Sequence, residues 1–226
     1  MIKSLTGGRE LILPEQLHTD KATTVCFTGH REKSIPPYNN LYQNRDITFL
    51  ALKIMLSRYI DIAIEDGYKS FISGFAEGVD LWAASYIIEK KKNGADISLI
   101  GAIPYLHHAD RFSSHYHELL KYAEQHADAV VLTNPNPDIT YSTSPKNQNQ
   151  SKNLYRDRNY FMVDNSSALI AFMNENTKWS GTFQTINYAR KNELQLSCFG
   201  LEDIYELLEQ SEFSPELMKK IVNRNI

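Results

Sequence analysis

The sequence feature that most constrains the fold is residues 71–84, where a short apolar run meets a helical pattern across a turn of small residues. The apolar run closes at Gly74, and Leu81 and Ile88 continue with the spacing of one helix face. This order predicts a β-strand, a tight glycine turn and an α-helix. The first N–H groups of such a helix lack intrahelical acceptors and attract anions, and Gly74 and Gly78 would let a ligand approach the backbone closely.

Apolar runs and helical patterns alternate along the whole chain. Strands are predicted over residues 23–28, 70–73, 97–103, 129–132, 168–172 and 194–199. Helices are predicted over residues 45–66, from the glycine turn to about 92, over 109–126 and 152–164, from about 182 to 189, and over 203–210 and 215–223. This alternation predicts a three-layer, Rossmann-like α/β fold, with a mainly parallel sheet and helices on both faces. Such folds bind ligands beyond the carboxyl ends of the strands, where the strand order reverses.

The length of 226 residues suits one large domain with appendages. We predict an N-terminal arm over residues 1–22, a Rossmann-like domain over 23–200 and a helical tail over 201–226. The arm is expected to add an edge strand through residues 10–13. Residues 133–151 are rich in Asn, Pro, Ser and Thr and carry no apolar period, so a long loop is predicted there.

Composition narrows the classes of partner. The formal net charge of -3 argues against a surface that coats DNA or RNA. Cys26 and Cys198 lie in apolar runs and are predicted to be buried strand thiols, which fits neither a disulfide framework nor a metal site. No apolar run reaches the length of a membrane span, and no secretory signal pattern is present at the start. We therefore expect a cytoplasmic protein without a membrane partner.

Small and polar residues follow three of the predicted strands at the edge where a ligand would bind. Glycine N–H groups and threonine hydroxyls can donate to phosphate oxygens, and Arg31 can add a bidentate charged contact. The same residue types also act as helix caps and turn formers, so the functional interpretation depends on their meeting at one edge. The predicted ligand-binding residues of these turns are Thr28, Gly29, His30, Arg31, Ser73, Gly74, Glu77, Gly78, Asp80, Ser180, Gly181, Thr182 and Thr185.

Three of the polar residues considered have open alternatives, Asp80 from these turns and Arg158 and Asn159 from a predicted helix. Asp80 can bond a ribose hydroxyl, cap its own helix or form an ion pair with Arg31. Arg158 and Asn159 are reasonable phosphate or base contacts, although charged pairs on a helix most often form a solvated face. All three are included in the predicted site.

The histidines do not predict a metal site. They crowd one predicted helix and its approach, but none of them has a second histidine four residues away, and no cysteine pair accompanies them. We predict no metal ion and interpret the group as a partly exposed, histidine-rich helix that contains His107, His108, His115 and His117.

Taken together, the ordered motifs resemble those of the YpsA-like family in the SLOG superfamily, which is named after the Smf/DprA proteins and the LOG enzymes. The motifs are residues 25–31 (VCFTGHR), 72–84 (ISGFAEGVDLWAA), 158–171 (RNYFMVDNSSALIA) and 180–182 (SGT). The resemblance covers residues 23–199. It implies a modified Rossmann fold that binds a nucleotide or a nucleotide derivative such as ADP-ribose, in a sensing role, and it implies no established reaction.

The chain departs from the LOG enzymes in one loop. Those enzymes carry a Pro-Gly-Gly-x-Gly-Thr loop followed by a catalytic glutamate, whereas this chain has Ser180, Gly181 and Thr182, with Ile186 and Asn187 at the glutamate positions. Neither of these side chains can act as a general base. The resemblance therefore favours ligand binding over catalysis.

Alternatives from other classes remain. An N-glycosidase acting on nucleoside phosphates would need Glu77 or Asp80 as its carboxylate, with His30 as the other acid/base candidate. A DprA-like single-stranded DNA binder is disfavoured by the acidic balance. Residues 134–153 form a possible protein-interaction scaffold, and a homodimer through exposed aromatic residues competes with ordinary core packing of Tyr155, Tyr160 and Trp179. No cofactor is predicted beyond a nucleotide-type ligand.

Overall fold

The computed structural model describes residues 2–40, 45–140, 145–174 and 180–226. Its strands are β1 (Ile2–Lys3), β2 (Glu10–Leu11), β3 (Thr24–Thr28), β4 (Ser70–Ser73), β5 (Ser98–Ile103), β6 (Ala129–Leu132), β7 (Ala168–Met173) and β8 (Gln195–Gly200). Its α-helices are α1 (Arg45–Glu65), α2 (Val79–Lys92), α3 (Ser114–His126), α4 (Pro145–Asp164), α5 (Gly181–Lys191), α6 (Leu201–Ser211) and α7 (Pro215–Asn225). Strands β3 to β8 lie within about one residue of the predicted ranges.

The six long strands form one parallel sheet with the order β6-β5-β4-β3-β7-β8. From β3 the chain moves outward through β4 and β5 to β6, then returns to place β7 on the other side of β3. Val25 pairs with Phe71 of β4 on one side and with Ala168 of β7 on the other. The strand order therefore reverses between β3 and β7, which places the expected ligand crevice beyond the carboxyl ends of these two strands.

The sheet separates two hydrophobic layers, which confirms the predicted three-layer fold. Phe27 and Phe71 point to one face and pack with Leu52 and Leu81 from α1 and α2; α3, α6 and α7 complete this layer. The other face packs against α4 and α5. The central strands are buried on both faces, which explains why they are continuous apolar runs in the sequence. Among the described residues, no helix combines the length and apolar character needed to cross a bilayer.

The N-terminal arm reaches the open edge of the sheet. Strands β1 and β2 pair with each other, and Ile12 forms a single parallel bridge with Val131 of β6. The N–H of Ile12 donates to the carbonyl of Val130, and the N–H of Leu132 donates back to Ile12, both at 2.9 Å. The edge contact expected over residues 10–13 is present, but the regular strand there, β2, contains only Glu10 and Leu11.

Three predictions about local structure are wrong. The loop predicted over residues 133–151 is helical from Pro145 onward, while residues 141–144 lie outside the described part of the chain. Proline is favoured in the first turn of a helix, and the following Lys and Gln are good helix formers without any apolar period. Helix α3 begins at Ser114 because the Ser113 hydroxyl accepts the N–H of Tyr116 at 3.4 Å. Cys198 is exposed because it lies on the edge strand β8.

Candidate functional site

A cavity of about 260 Å³ lies at the point where the strand order reverses. It brings together the turn after β3, Ala76 and Asp80 around the start of α2, the middle of α4 and the start of α5, so residues more than a hundred positions apart share one wall. Ten of the predicted ligand-binding residues line it. The full lining is Thr28, Gly29, His30, Arg31, Ser34, Ala76, Asp80, Tyr155, Arg158, Asn159, Ser180, Gly181 and Thr182.

The turn after β3 contributes one neutral and one charged side chain. His30 is buried, its ring lies edge-on to Phe172 at 6.2 Å between centroids, and burial lowers the pKa of the imidazole. It is therefore neutral near pH 7. Arg31 is half-buried, and its guanidinium carbon lies 5.6 Å from the centroid of the Tyr155 ring. Within the described residues, no carboxylate lies within 4.0 Å of the Arg31 guanidinium.

The start of α5 is open towards the cavity. Ser180 caps the helix by accepting the N–H of Phe183 at 3.1 Å. A side chain built on Gly181 would meet no heavy atom of the described residues within 4 Å, so these residues leave space in front of this backbone. The first N–H groups of a helix have no intrahelical acceptor, and the helix dipole makes this end positive. The start of α5 thus has the geometry of an anion site.

A second layer of hydrogen bonds orders this wall. The Thr185 hydroxyl donates to the carbonyl of Gly181 at 2.8 Å, and the Asn159 amide donates to the same hydroxyl at 2.9 Å. Thr185 is buried and lies behind the cavity wall, whereas Asn159 lines it. Thr185, predicted as a ligand contact, therefore couples α4 to the start of α5.

The turn after β4 is closely packed instead of open. A Cβ on Gly74 would lie 1.7 Å from Nη1 of Arg158 and 2.5 Å from the Asp80 carboxylate. Gly78 has a φ of +90°, and a Cβ there would lie 2.7 Å from the carbonyl oxygen of His30. Phe75 is fully buried with a φ of +51°, and its ring occupies the space over Gly101 of β5. These residues fix the turn rigidly against its neighbours.

Four predicted residues of this turn consequently lie outside the cavity lining. The Ser73 hydroxyl donates to the carbonyl of Asp80 at 2.8 Å, which holds the end of β4 against the first turn of α2. The Glu77 carboxylate accepts the N–H of Ser113 at 3.3 Å and so points towards α3. Gly74 and Gly78 serve close packing. A direct ligand contact by these four residues stays a prediction.

Asp80 and Arg158 form a buried ion pair in the cavity wall. The distance from Asp80 Oδ2 to Arg158 Nη1 is 3.7 Å, and the two side chains are 8% and 4% exposed. The same guanidinium donates to the carbonyls of Gly74 and Ala102. Of the roles left open for Asp80, the structure shows the ion pair, but the partner is Arg158 instead of Arg31. A hydrogen bond from the backbone of Ala76 also stabilises the charged form of the Asp80 carboxylate. Arg158 is not part of a solvated face.

Burial dominates the electrostatics of this pair. Burial raises the pKa of Asp80 to about 6. The charge of Arg158, the hydrogen bond from Ala76 and the more distant charge of Arg31 each lower this pKa, but they do not offset the effect of burial. Burial also lowers the pKa of Arg158, while Asp80 opposes that shift. A carboxyl group with this pKa can exchange a proton near neutral pH, which is the property of a general acid or base.

Tyr155 is the main lining residue that sequence reasoning did not place in the site. It precedes Arg158 by three residues, so the two share one face of α4. This spacing was the signal that could have identified it. Of the other predicted interface aromatics, Tyr160 stacks on Tyr188 with centroids 3.8 Å apart, and Trp179 lies outside the described residues.

The histidine-rich segment has local structural partners. The Nδ1 of His107 lies within hydrogen-bonding distance of the Asp110 carboxylate, at 3.1 Å. His108 is buried, its Nδ1 bonds the carbonyl of Tyr105 at 3.1 Å, and burial together with the Arg158 charge lowers its pKa to about 3. In the part of the chain that the structure describes, no three His, Cys, Asp or Glu side chains are grouped as metal ligands.

Known proteins are similar in sequence to this chain over most of its length. A UPF0398 protein of Macrococcus caseolyticus (strain JCSC5402) is 26% identical over 191 residues, which cover 83% of this chain and 95% of the relative. UPF0398 proteins of Bacillus cereus (strain ATCC 14579) and Bacillus thuringiensis (strain Al Hakam) are each 23% identical over 196 residues, covering 84% of this chain and 97% of the relative. A family model for YpsA, described as the YspA SLOG family, matches residues 25–204. Because this match spans most of the chain, the protein belongs to the YpsA family of SLOG proteins.

Proposed function

We propose that this protein binds a nucleotide or a nucleotide derivative such as ADP-ribose, and that a phosphate group of the ligand sits between the start of α5 and Arg31. Membership of the SLOG superfamily suggests nucleotide-related binding. The single observation that carries the proposal is that the open N-terminus of α5 and the Arg31 side chain line the same cavity. Among the described residues, Arg31 has no carboxylate partner. Both features attract a phosphate.

The charge balance of the lining supports an anionic ligand. Arg158 and Asp80 oppose each other at 3.7 Å, and His30 is neutral because burial lowers its pKa. The charge of Arg31 then remains, together with the positive end of the α5 dipole. Among the described lining residues, the net charge available to a ligand is positive.

The remaining lining residues suit a sugar and a base. The Asp80 carboxylate offers acceptors for hydroxyl groups, as the ribose-binding carboxylate does in other Rossmann-like folds. The Asn159 amide donates its N–H to Thr185, which leaves the carbonyl oxygen of its side chain as an acceptor. Binding in a sensing role accounts for these features without requiring a reaction.

Ligand titration tests the proposal. Isothermal titration calorimetry with AMP, ADP-ribose, NAD and inorganic phosphate should detect binding, and Arg31→Met should weaken it by about tenfold or more through loss of a charge-assisted hydrogen bond. Lys33→Met is the matched control, since Lys33 is an exposed cation two residues away, outside the cavity lining. The proposal fails if no member of the panel binds, or if both variants bind as the unmodified protein does.

One observation favours a second candidate, an N-glycosidase acting on nucleoside phosphates. Asp80 lines the cavity with a pKa raised to about 6, so it can protonate the departing base while water attacks the anomeric carbon. Glu77, the other carboxylate considered, bonds the backbone of Ser113 instead. Release of free adenine from AMP or another adenine nucleoside phosphate, abolished by Asp80→Asn while the ligand still binds, would establish this activity. Binding without base release would exclude it for those substrates.

A further inference from the structure

Both arginines in the cavity lie over the Tyr155 ring, with guanidinium carbons 5.6 Å (Arg31) and 5.9 Å (Arg158) from its centroid, but their other partners differ. Arg158 is buried and fixed by the Asp80 carboxylate and by the carbonyls of Gly74 and Ala102. Arg31 is half-buried and rests over the aromatic ring of Tyr155, with no carboxylate of the described residues within 4.0 Å. Only the first arrangement neutralises the guanidinium charge.

Tyr155 is itself held in place from the sheet side of the cavity. Its ring lies edge-on to Tyr105, with centroids 5.8 Å apart and an interplanar angle of 78°. Its hydroxyl lies 3.4 Å from the Tyr105 hydroxyl and donates to the carbonyl of His108 at 3.4 Å. Tyr105 is fully buried, so the ring that supports Arg31 belongs to a fixed part of the protein.

A ring and a carboxylate would affect an anion-binding arginine differently. A carboxylate would hold the guanidinium more strongly but would cancel its charge and occupy its N–H groups. An aromatic face attracts the cation while the N–H groups at the guanidinium edge remain able to bond a phosphate. Asp80 is close enough for Arg31 to stabilise its charged form, so an unsupported Arg31 would be drawn towards that carboxylate.

We propose that Tyr155 is a positioning residue for ligand binding: its ring keeps Arg31 over the cavity, away from Asp80, with its charge available to the ligand's phosphate. This inference rests on the proposed function, because it assigns the phosphate to Arg31. It adds a residue outside the predicted site and gives it a role that needs no direct contact with the ligand.

A double-mutant cycle separates this role from direct stacking on a base. AMP binding is measured by calorimetry in the unmodified protein, Tyr155→Leu, Arg31→Met and the double variant. Loss of a cation–π contact predicts that Tyr155→Leu weakens AMP binding by about three- to tenfold. In the Arg31→Met background the same substitution should have no further effect, because the residue that Tyr155 positions is gone.

Two further variants keep the test independent of folding. Tyr155→Phe keeps the ring and should bind AMP within about twofold of the unmodified protein. Tyr155→Met introduces an unbranched, flexible side chain that adapts to an irregular site better than Leu does and should reproduce the loss, so a folding failure of one truncation does not block the cycle. Thermal melting of each variant identifies such a failure.

The possible results are distinct. An equal loss from Tyr155→Leu in both backgrounds would mean that the ring contacts the ligand itself, and it would overturn the positioning role. Unchanged AMP binding in Tyr155→Leu would overturn it as well. If Arg31→Met binds AMP normally while Tyr155→Leu does not, the phosphate assignment of the proposed function fails instead, and the positioning role fails with it.

Discussion

The starts of α2 and α5 carry the same sequence signal and have opposite surroundings. Each comes after a strand of the sheet and has small residues at its start, Gly74 and Gly78 before α2 and Ser180 and Gly181 at α5, and each begins at the edge where a ligand is expected. At α2, Gly74 and Gly78 have neighbours that a Cβ would strike at 1.7 and 2.7 Å. At α5, a Cβ on Gly181 would meet no atom within 4 Å in the part of the chain that the structure describes. A glycine turn before a helix therefore does not by itself distinguish a packed turn from an open anion site.

The difference arises from what the rest of the chain brings to each helix. Helix α4 inserts Arg158 beneath the first turn, where it meets Asp80 and the carbonyl of Gly74. Asp80 also gives α2 a carboxylate of its own in the first turn, so the positive end of this helix already has an anion. Helix α5 is capped by the neutral Ser180 hydroxyl, and its first turn contains no acidic residue. The α5 start thus retains its capacity to attract a phosphate.

The largest expected effect comes from removing the side chain that fills the space under α2. Arg158→Met leaves the Asp80 carboxylate buried without its ion-pair partner, and we expect the free energy of unfolding to fall by about 3–5 kcal/mol. Urea denaturation measures this change. Arg156→Met is the matched control on the same helix; its pair with Asp157 is exposed, so a change within about 0.5 kcal/mol is expected. Equal effects of the two variants would contradict the packed description of the α2 start.

A smaller effect is expected from adding one methyl group at each helix start. Gly78→Ala combines a φ of +90° with a contact of 2.7 Å to the His30 carbonyl, so we expect a loss of about 2–4 kcal/mol in the free energy of unfolding. Gly181→Ala enters open space, and its stability should change by no more than about 0.5 kcal/mol. Thermal and urea unfolding of both variants measure the difference. Similar stabilities would remove the distinction between the two helix starts.

The buried carboxylate of α2 predicts a modest pH dependence. The pKa of Asp80 is raised from its ordinary value of 3.8 to about 6, so the folded protein holds this proton more tightly than the unfolded chain does. The free energy of unfolding therefore falls as pH rises between these values, with a slope from Asp80 of at most about 1.4 kcal/mol per pH unit. The measurement is the difference between the unmodified protein and Asp80→Asn across this range. A difference that stays constant with pH would contradict the raised pKa.

The sequence predicts the sheet well because its strands are apolar runs bounded by glycine and proline, and these signals are local. It also predicts that the turns holding Arg31 and Gly181 meet at one edge, because parallel strands carry their following turns to the same side. It does not predict that Arg158 closes the α2 turn, since this contact joins residues 84 positions apart. The start of α4 was missed for a different reason, because a polar helix has no apolar period to detect.

The most direct test of the site follows backbone amide shifts by nuclear magnetic resonance while AMP is added to the protein. A phosphate at the start of α5 should shift the N–H signals of Gly181 and Thr182 most strongly and saturably. The N–H signals of Val79 and Asp80 at the start of α2 should move far less, because that helix end is packed and already carries a carboxylate. Saturable shifts at Val79 and Asp80, with Gly181 and Thr182 unmoved, would show that the phosphate binds the other helix start and would contradict the proposed site.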